Sequence, residues 1–327
     1  MEYTNSLQLE VIQPIEVEEM TSTGKPFIEA NTVSSNMDEI RKNHIIPVFV
    51  KDNEPLVSHS EFIDSSCRIA SDIFHDEIIL KPNIRLSHPI KGRIPEAKHK
   101  PANQLMDWET TLYYERMAFI IEVPSIRGLV GGNELSLTIG GVKAYNTDNL
   151  YSRSMSEQNF KIFIGFQNKV CTNLCVWTDG FMSDVKVKNI EQLNICIRTL
   201  LESYNKNYHL HHLQQLTEYY LTEQQFAQLI GRCRMYQQIP QSMRNDIPAL
   251  LFGDQQMNNV VRDFYRDDSF CRDGNGNINL WKLYNLFTGA NKSSYIDTFL
   301  DKSVNAYQFV EQVKWGLQGN SHSWYLN

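Results

Sequence analysis

The stretch KPNIRLSHPIKGRIPEAKHK, Lys81 to Lys100, sets six Lys and Arg and two His against one acid, Glu96, in a chain whose formal net charge is −7. Cations at that density suit phosphate, because they displace the counterions condensed on a nucleic-acid backbone, and neighbouring aromatic faces give unpaired bases a platform. Arg85, His88, Lys91, Arg93, Lys98 and Lys100 are the candidate nucleic-acid contacts, with Tyr113, Tyr114 and Tyr145 as stacking candidates. The bland alternative is a solvated surface loop. Such loops usually mix signs, whereas here five net positive charges fall within twenty residues. Arg/aromatic interleaving recurs at 113–116, 151–153, 231–236 and 262–267, where Tyr and Phe at helical spacing serve equally well as core.

The remaining chemistry-bearing patterns are weaker. Cys171 and Cys175 in CTNLC, read as a strand, stand about 13 Å apart at roughly 3.3 Å per residue, too far to share one zinc ion. His209, His211 and His212 form the one histidine cluster, read as exposed residues at a helix start, with no HExxH pattern beside them. DGNGNIN, from Asp273, begins like a calcium loop but has Ile278 where the sharp turn needs Gly and Tyr284 where a bidentate Glu belongs, so a tight Asn-Gly turn before a helix is expected. The Gly131-Gly132 and Gly140-Gly141 pairs fit no phosphate-cradling motif and read as hairpin turns. Asp107, Glu109 and Glu115 beside Lys98 and Lys100 resemble a nuclease-like metal site only in composition. No catalytic residue, metal site or cofactor is expected.

The elements that must position these residues divide the chain in three. Residues 1–40 carry eight acids against Lys25, the whole net charge of the protein, and are expected to be an acidic, mostly disordered tail. The fold class expected for the rest is α+β, with a mainly antiparallel central sheet over about residues 41–188 and a helical subdomain over 189–327, packed on the sheet as one unit. Strands are predicted around the Asp52-Asn53 turn and at RMAFIIEVPSI, NELSLTIGGVKAYN, FKIFIGFQN and KVCTNLCVWTDG. The basic stretch, interrupted by Pro89, Gly92 and Pro95, is predicted to be a loop. Caps are predicted at Ser60, at Thr222 with Gln225, at Asp254 and at Asp301, with Gly319 ending the last helix. Six scattered cysteines read as reduced thiols, and no apolar run reaches the roughly 18 residues of a membrane span. Without a basic-then-apolar leader, a cytoplasmic location is expected.

The blocks RLSHPIKGRIPEAKHKPANQL, LYYERMAFIIEVPSI, LTIGGVKAYNTDNLY, FIGFQNKVCTNLCVWTDG and LWKLYNLFTGANKSSYIDTFLDKSVNAYQF resemble domain-of-unknown-function family 3871 of Bacteroides-type bacteria and their conjugative elements, over about residues 40–327. Shorter segments are arranged like the phage and plasmid family numbered 932 in the same series. The resemblance implies cargo of mobile DNA and brings no assigned catalytic residue. With the basic stretch and its aromatics in that setting, the expectation is an accessory protein that binds nucleic acid, single strands in preference, during replication or recombination, with the acidic tail competing for the same surface. The alternative is a non-catalytic protein-binding factor, an inhibitor or assembly partner, acting through the helical third. There Asn291, Lys292, Ser293, Ser294, Tyr295 and Asp297 would form a recognition loop between helices. Oligomeric state is not legible at this level.

Overall fold

The computed structural model describes residues 26–43, 56–87, 89–97, 99–148, 157–319 and 323–326. The first 25 residues, the strand pair expected around Asp52-Asn53, His88 and Lys98 lie outside the described residues. In chain order come β1 (Val33–Ser35), α1 (Met37–Asn43), α2 (His59–Ile73), β2 (Asn83–Leu86), β3 (Pro89–Arg93), β4 (Thr110–Tyr114), β5 (Arg116–Val130), β6 (Asn133–Ala144), β7 (Gln158–Asn168), β8 (Leu174–Cys175) and β9 (Phe181–Val187). The helical third follows with α3 (Ile190–Ser203), α4 (Lys206–Gln215), β10 (Tyr220–Leu221), α5 (Glu223–Gln238), α6 (Asp254–Arg266), β11 (Ile278–Asn279), α7 (Leu280–Asn291) and α8 (Ile296–Leu317). The protein is α+β, as its patterning predicts.

Seven strands form the main sheet in the order β1-β2-β5-β6-β7-β8, with β9 also on β7, and every pairing is antiparallel. Its central strands read as near-continuous apolar runs because both faces are covered. On one face Phe62 of α2 meets Phe119 and Phe160 edge to face, each at 5.0 Å. On the other, Ala118, Ile120, Val142 and Phe163 pack with Phe27, Ile28 and the α8 residues Ile296, Phe299 and Leu300. Pro124 lacks an N–H for the ladder, and the β5–β6 register shifts between Val123 and Arg127, where a bulge accommodates it.

Gly131 and Gly132 make the expected hairpin turn, with φ of +55° and +82°. Gly140 and Gly141 do not: they lie inside β6, where close approach is the reason for glycine. A Cβ at Gly140 would stand 2.1 Å from the Phe119 carbonyl oxygen, and one at Gly141 would stand 2.4 Å from the Phe62 ring.

Four boundaries differ from the sequence reading. The fold begins before residue 41: Phe27 and Ile28 are buried, β1 pairs with β2, and the backbone N–H groups of Glu29 and Ala30 donate to the Lys292 carbonyl. Helix α2 is capped by Ser58 in a reciprocal box with Glu61, so Ser60 is already helical. Helix α8 starts at Ile296, leaving Asp301 in its second turn, and ends where Gly319 takes φ +73°. The Thr222/Gln225 box stands where the spacing put it, while Gly253, not Asp254, caps α6. One core runs from the sheet through the C-terminal helices, tied by Trp281 Nε1 donating to Asn133 Oδ1 at 2.9 Å and Asn173 Nδ2 donating to the Asn285 carbonyl at 2.9 Å.

Candidate nucleic-acid interface

The basic stretch is not a loop throughout: Asn83–Leu86 and Pro89–Arg93 are strands, and the described residues from Ile94 to Lys100 form the irregular start of the tip. Past the Leu86–Met117 pair the Ser87 N–H still donates to the Arg116 carbonyl at 2.9 Å, and beyond it the two segments pair as β3 and β4, with Pro89 opposite Tyr114, Ile90 opposite Tyr113, Lys91 opposite Leu112 and Arg93 opposite Thr110. Pro89 and Gly92 are tolerated because, among the described residues, β3 has a ladder partner on one side only, the arrangement in which a missing N–H or side chain costs least. The result is a two-stranded ribbon of about 16 Å at roughly 3.3 Å per residue, continuing past the end of the sheet where β1 and β6 stop. Lys91 and Arg93 hold alternate positions along it.

The linear charge density does not survive folding intact. The returning strand brings Asp107, Glu109 and Glu115, so over 87–115 four basic residues meet four acidic ones. Lys100 is ion-paired with Glu109, whose other oxygen accepts from the Met106 N–H at 3.0 Å. The lysine and that N–H hold the Glu109 carboxyl below the usual range, and they occupy the oxygens a nuclease-like site would need. Arg85 lies at the base, in β2, donating from Nε and Nη2 to the Thr32 hydroxyl at 3.0 and 2.7 Å and from Nη2 to the Thr32 carbonyl at 2.9 Å. Partial burial lowers its pKa. It fastens β1 and is not free for phosphate. Tyr145 is a further correction: it is 1% exposed, its ring stacked on His59 at 4.7 Å, so no base can reach it.

Tyr145 belongs instead to a polar knot at the ribbon's root, which sequence reasoning missed. Its N–H donates to the Glu115 carbonyl at 2.9 Å, where β4 hands over to β5. Beside it Lys143 Nζ meets Asp148 Oδ2 at 2.5 Å, with both side chains sealed from solvent. The ammonium also lies 4.1 Å from the Phe160 ring centroid. Asp148 Oδ1 accepts from the Asn159 N–H at 2.8 Å, and Asn159 Nδ2 donates to the Thr147 carbonyl at 2.7 Å, so the pair closes the β6–β7 connection. Burial pulls Lys143 down to about 8 against the opposing pull of Asp148. The signal was a lysine in a strand covered on both faces, a position that requires a nearby acid.

At the far end, a short helical turn at Asp107–Glu109 shapes the tip. Glu109 ties it to Met106 and Lys100, and the Thr110 hydroxyl donates to the Asp107 carbonyl at 2.7 Å. The turn leaves Trp108 71% and Met106 58% exposed.

The α7–α8 turn is a packed joint rather than a recognition loop. Lys292 is buried, with Nζ donating to the Cys171 carbonyl and to the Thr172 hydroxyl at 2.8 Å. Buried Asn291 donates to the Phe299 carbonyl and Ser303 hydroxyl, and Ser294 donates to Asn291 Oδ1 at 2.7 Å. Asp297 faces Arg116 at 3.8 Å. Of the six residues, Ser293 and Tyr295 alone are exposed. The histidine cluster also departs from expectation: His209 is buried, sharing a hydrogen bond with the Tyr204 hydroxyl through Nδ1, and burial holds its pKa down at about 3. Asp273 forms the expected tight turn, accepting from the Asn275 and Asn277 N–H groups at 2.9 Å each. Among the described residues no group of three or more His, Cys, Asp and Glu is placed to hold a metal ion, and no helix is long and apolar enough to cross a membrane.

Fold and site together define an α+β protein in which a curled antiparallel sheet, covered on both faces, carries a separate ribbon at one end. The chain belongs to the family described as "Domain of unknown function, B. Theta Gene description (DUF3871)", whose model matches residues 10–326. The match reaches back from the onset near residue 40 that the sequence blocks suggest, in keeping with the buried Phe27 and Ile28. No curated protein and no solved structure matches the chain.

Proposed function

We propose that this protein is a nucleic-acid-binding accessory factor, favouring single strands, that serves replication or recombination of mobile DNA. The observation that carries the proposal is the ribbon: Pro89–Arg93 of the basic stretch pairs as β3 with β4 and leaves the sheet with no third strand beside it among the described residues, with Lys91 and Arg93 at alternate positions. Alternate positions of an extended strand stand about 7 Å apart along the backbone, close to the spacing of successive phosphates in a stretched single strand. The alternative of a partner surface at the α7–α8 turn has less support, because most of that turn's polar groups are hydrogen-bonded inside the protein.

The test is fluorescence anisotropy of a labelled oligo(dT) and a matched duplex with full-length protein and with Lys91→Glu/Arg93→Glu. Binding by the wild type that collapses in the variant supports the proposal, and tighter binding of the single strand supports the preference. No binding by either protein at low salt refutes it. To ask whether the acidic N-terminus competes, the cut belongs after residue 25, since residues 26–40 carry Phe27, Ile28 and β1.

A further inference from the structure

We infer that Trp108, at the tip of the β3–β4 ribbon, is the base-stacking residue of this protein and takes one unpaired base of a single strand; the inference rests on the nucleic-acid reading above. Among the described residues no large apolar side chain is more exposed than Trp108. Trp108 is 71% exposed, and its turn is fixed at both ends: Glu109 accepts from the Met106 N–H, the Thr110 hydroxyl donates to the Asp107 carbonyl, and the Ile94 N–H donates to the Glu109 carbonyl at 3.0 Å. The ring is therefore presented by a preorganised support and does not have to be ordered on binding.

The surroundings select the occupant. The described residues of the same tip, Asn103, Gln104, Asp107 and Thr110, are exposed and polar or charged, and Met106 is the one other large apolar side chain exposed among the described tip residues. A tryptophan offers at most about 250 Å², far below the roughly 800 Å² that each partner contributes to a stable protein interface. One isolated π-face in a polar setting fits one base. The Asp107 carboxylate beside it repels phosphate, so the ring takes a base while the backbone runs toward Lys91 and Arg93. Tyr145, sealed at the ribbon's root, offers no such face.

The experiment compares wild type, Trp108→Ala and Trp108→Phe in binding oligo(dT), an abasic strand of equal length and a matched duplex across a salt series. Trp108→Ala is expected to weaken oligo(dT) binding between about fivefold and a hundredfold, the range one stacked base carries. Its salt slope should be unchanged, and Trp108→Phe should recover part of the loss. The wild type should discriminate oligo(dT) from the abasic strand by a similar factor that Trp108→Ala abolishes, and oligo(dT) should quench a tryptophan signal that Trp108→Phe lacks. Salt-dependent binding by a folded Trp108→Ala protein with wild-type affinity would overturn the inference and leave the ribbon reading standing; in that case the ring serves another partner. No binding by the wild type would remove both.

Discussion

Removing Asp148 tests whether the sealed ion pair at the ribbon's root is a fastening. Lys143 drops from 10.5 in the unfolded chain to about 8 in the fold, so at about 1.4 kcal/mol per unit keeping it charged near neutral pH already costs about 3 kcal/mol with its partner present. Asp148→Ala deletes the attraction and leaves the ammonium against the Phe160 ring and the Asn159 carbonyl, which lies 3.4 Å away. We expect a loss of about 3 to 5 kcal/mol in urea unfolding followed by tryptophan fluorescence. Lys143→Met/Asp148→Ala, which removes both charges, should recover at least about 1 kcal/mol of that loss. The pH dependence has a definite sign. Between about pH 8 and 10.5 the unfolded chain binds the proton that native Lys143 has released, so this group makes stability rise with pH in that window, and Lys143→Met should flatten the rise. A loss below about 1 kcal/mol for Asp148→Ala, or a double variant no more stable than the single, would refute the reasoning.

Two further outcomes follow from the core. Native His209, depressed to about 3 by burial and by His212, should stay neutral while the unfolded chain protonates near 6.5, so its contribution to stability is full above pH 6.5 and is lost as pH falls toward 3; an NMR titration of its ring near 6.5 would contradict this. Gly140→Ala forces a methyl against the Phe119 carbonyl oxygen and the Phe163 ring and should cost about 1 to 3 kcal/mol or more, whereas Gly231→Ala, with open space and helical geometry, should be neutral or slightly stabilising; equal effects in thermal melts would refute the close-approach argument.

The central strands were legible because their apolar runs have no other use, and α5 because its capping box is written in four residues. What misled was local punctuation read without its neighbours. Pro89 and Gly92 break a central strand but not a ribbon with one partner, and Gly140-Gly141 spells a turn unless Phe62 is known to lie above it. The candidate site was legible in outline only. The linear density of Lys81 to Lys100 could not show that Arg85 would turn to Thr32 or that Glu109 would fold back onto Lys100, since both depend on contacts set by the sheet. The GANKSSYID block looked like a polar recognition loop because polarity alone does not separate a surface from a buried hydrogen-bonded joint. Trp108 passed unnoticed for the opposite reason: a lone aromatic is core by default, and its exposure appears only once the tip is built.

The most direct test of the central claim is the slope of log K against log salt for a single strand, in wild type and in Lys91→Gln/Arg93→Gln. If the ribbon engages phosphate at those two positions, the variant's slope should be shallower by about 1.4, at roughly 0.7 for each phosphate no longer neutralised. Equal slopes, with or without a change in affinity, would show that β3 does not touch the backbone and would contradict the account.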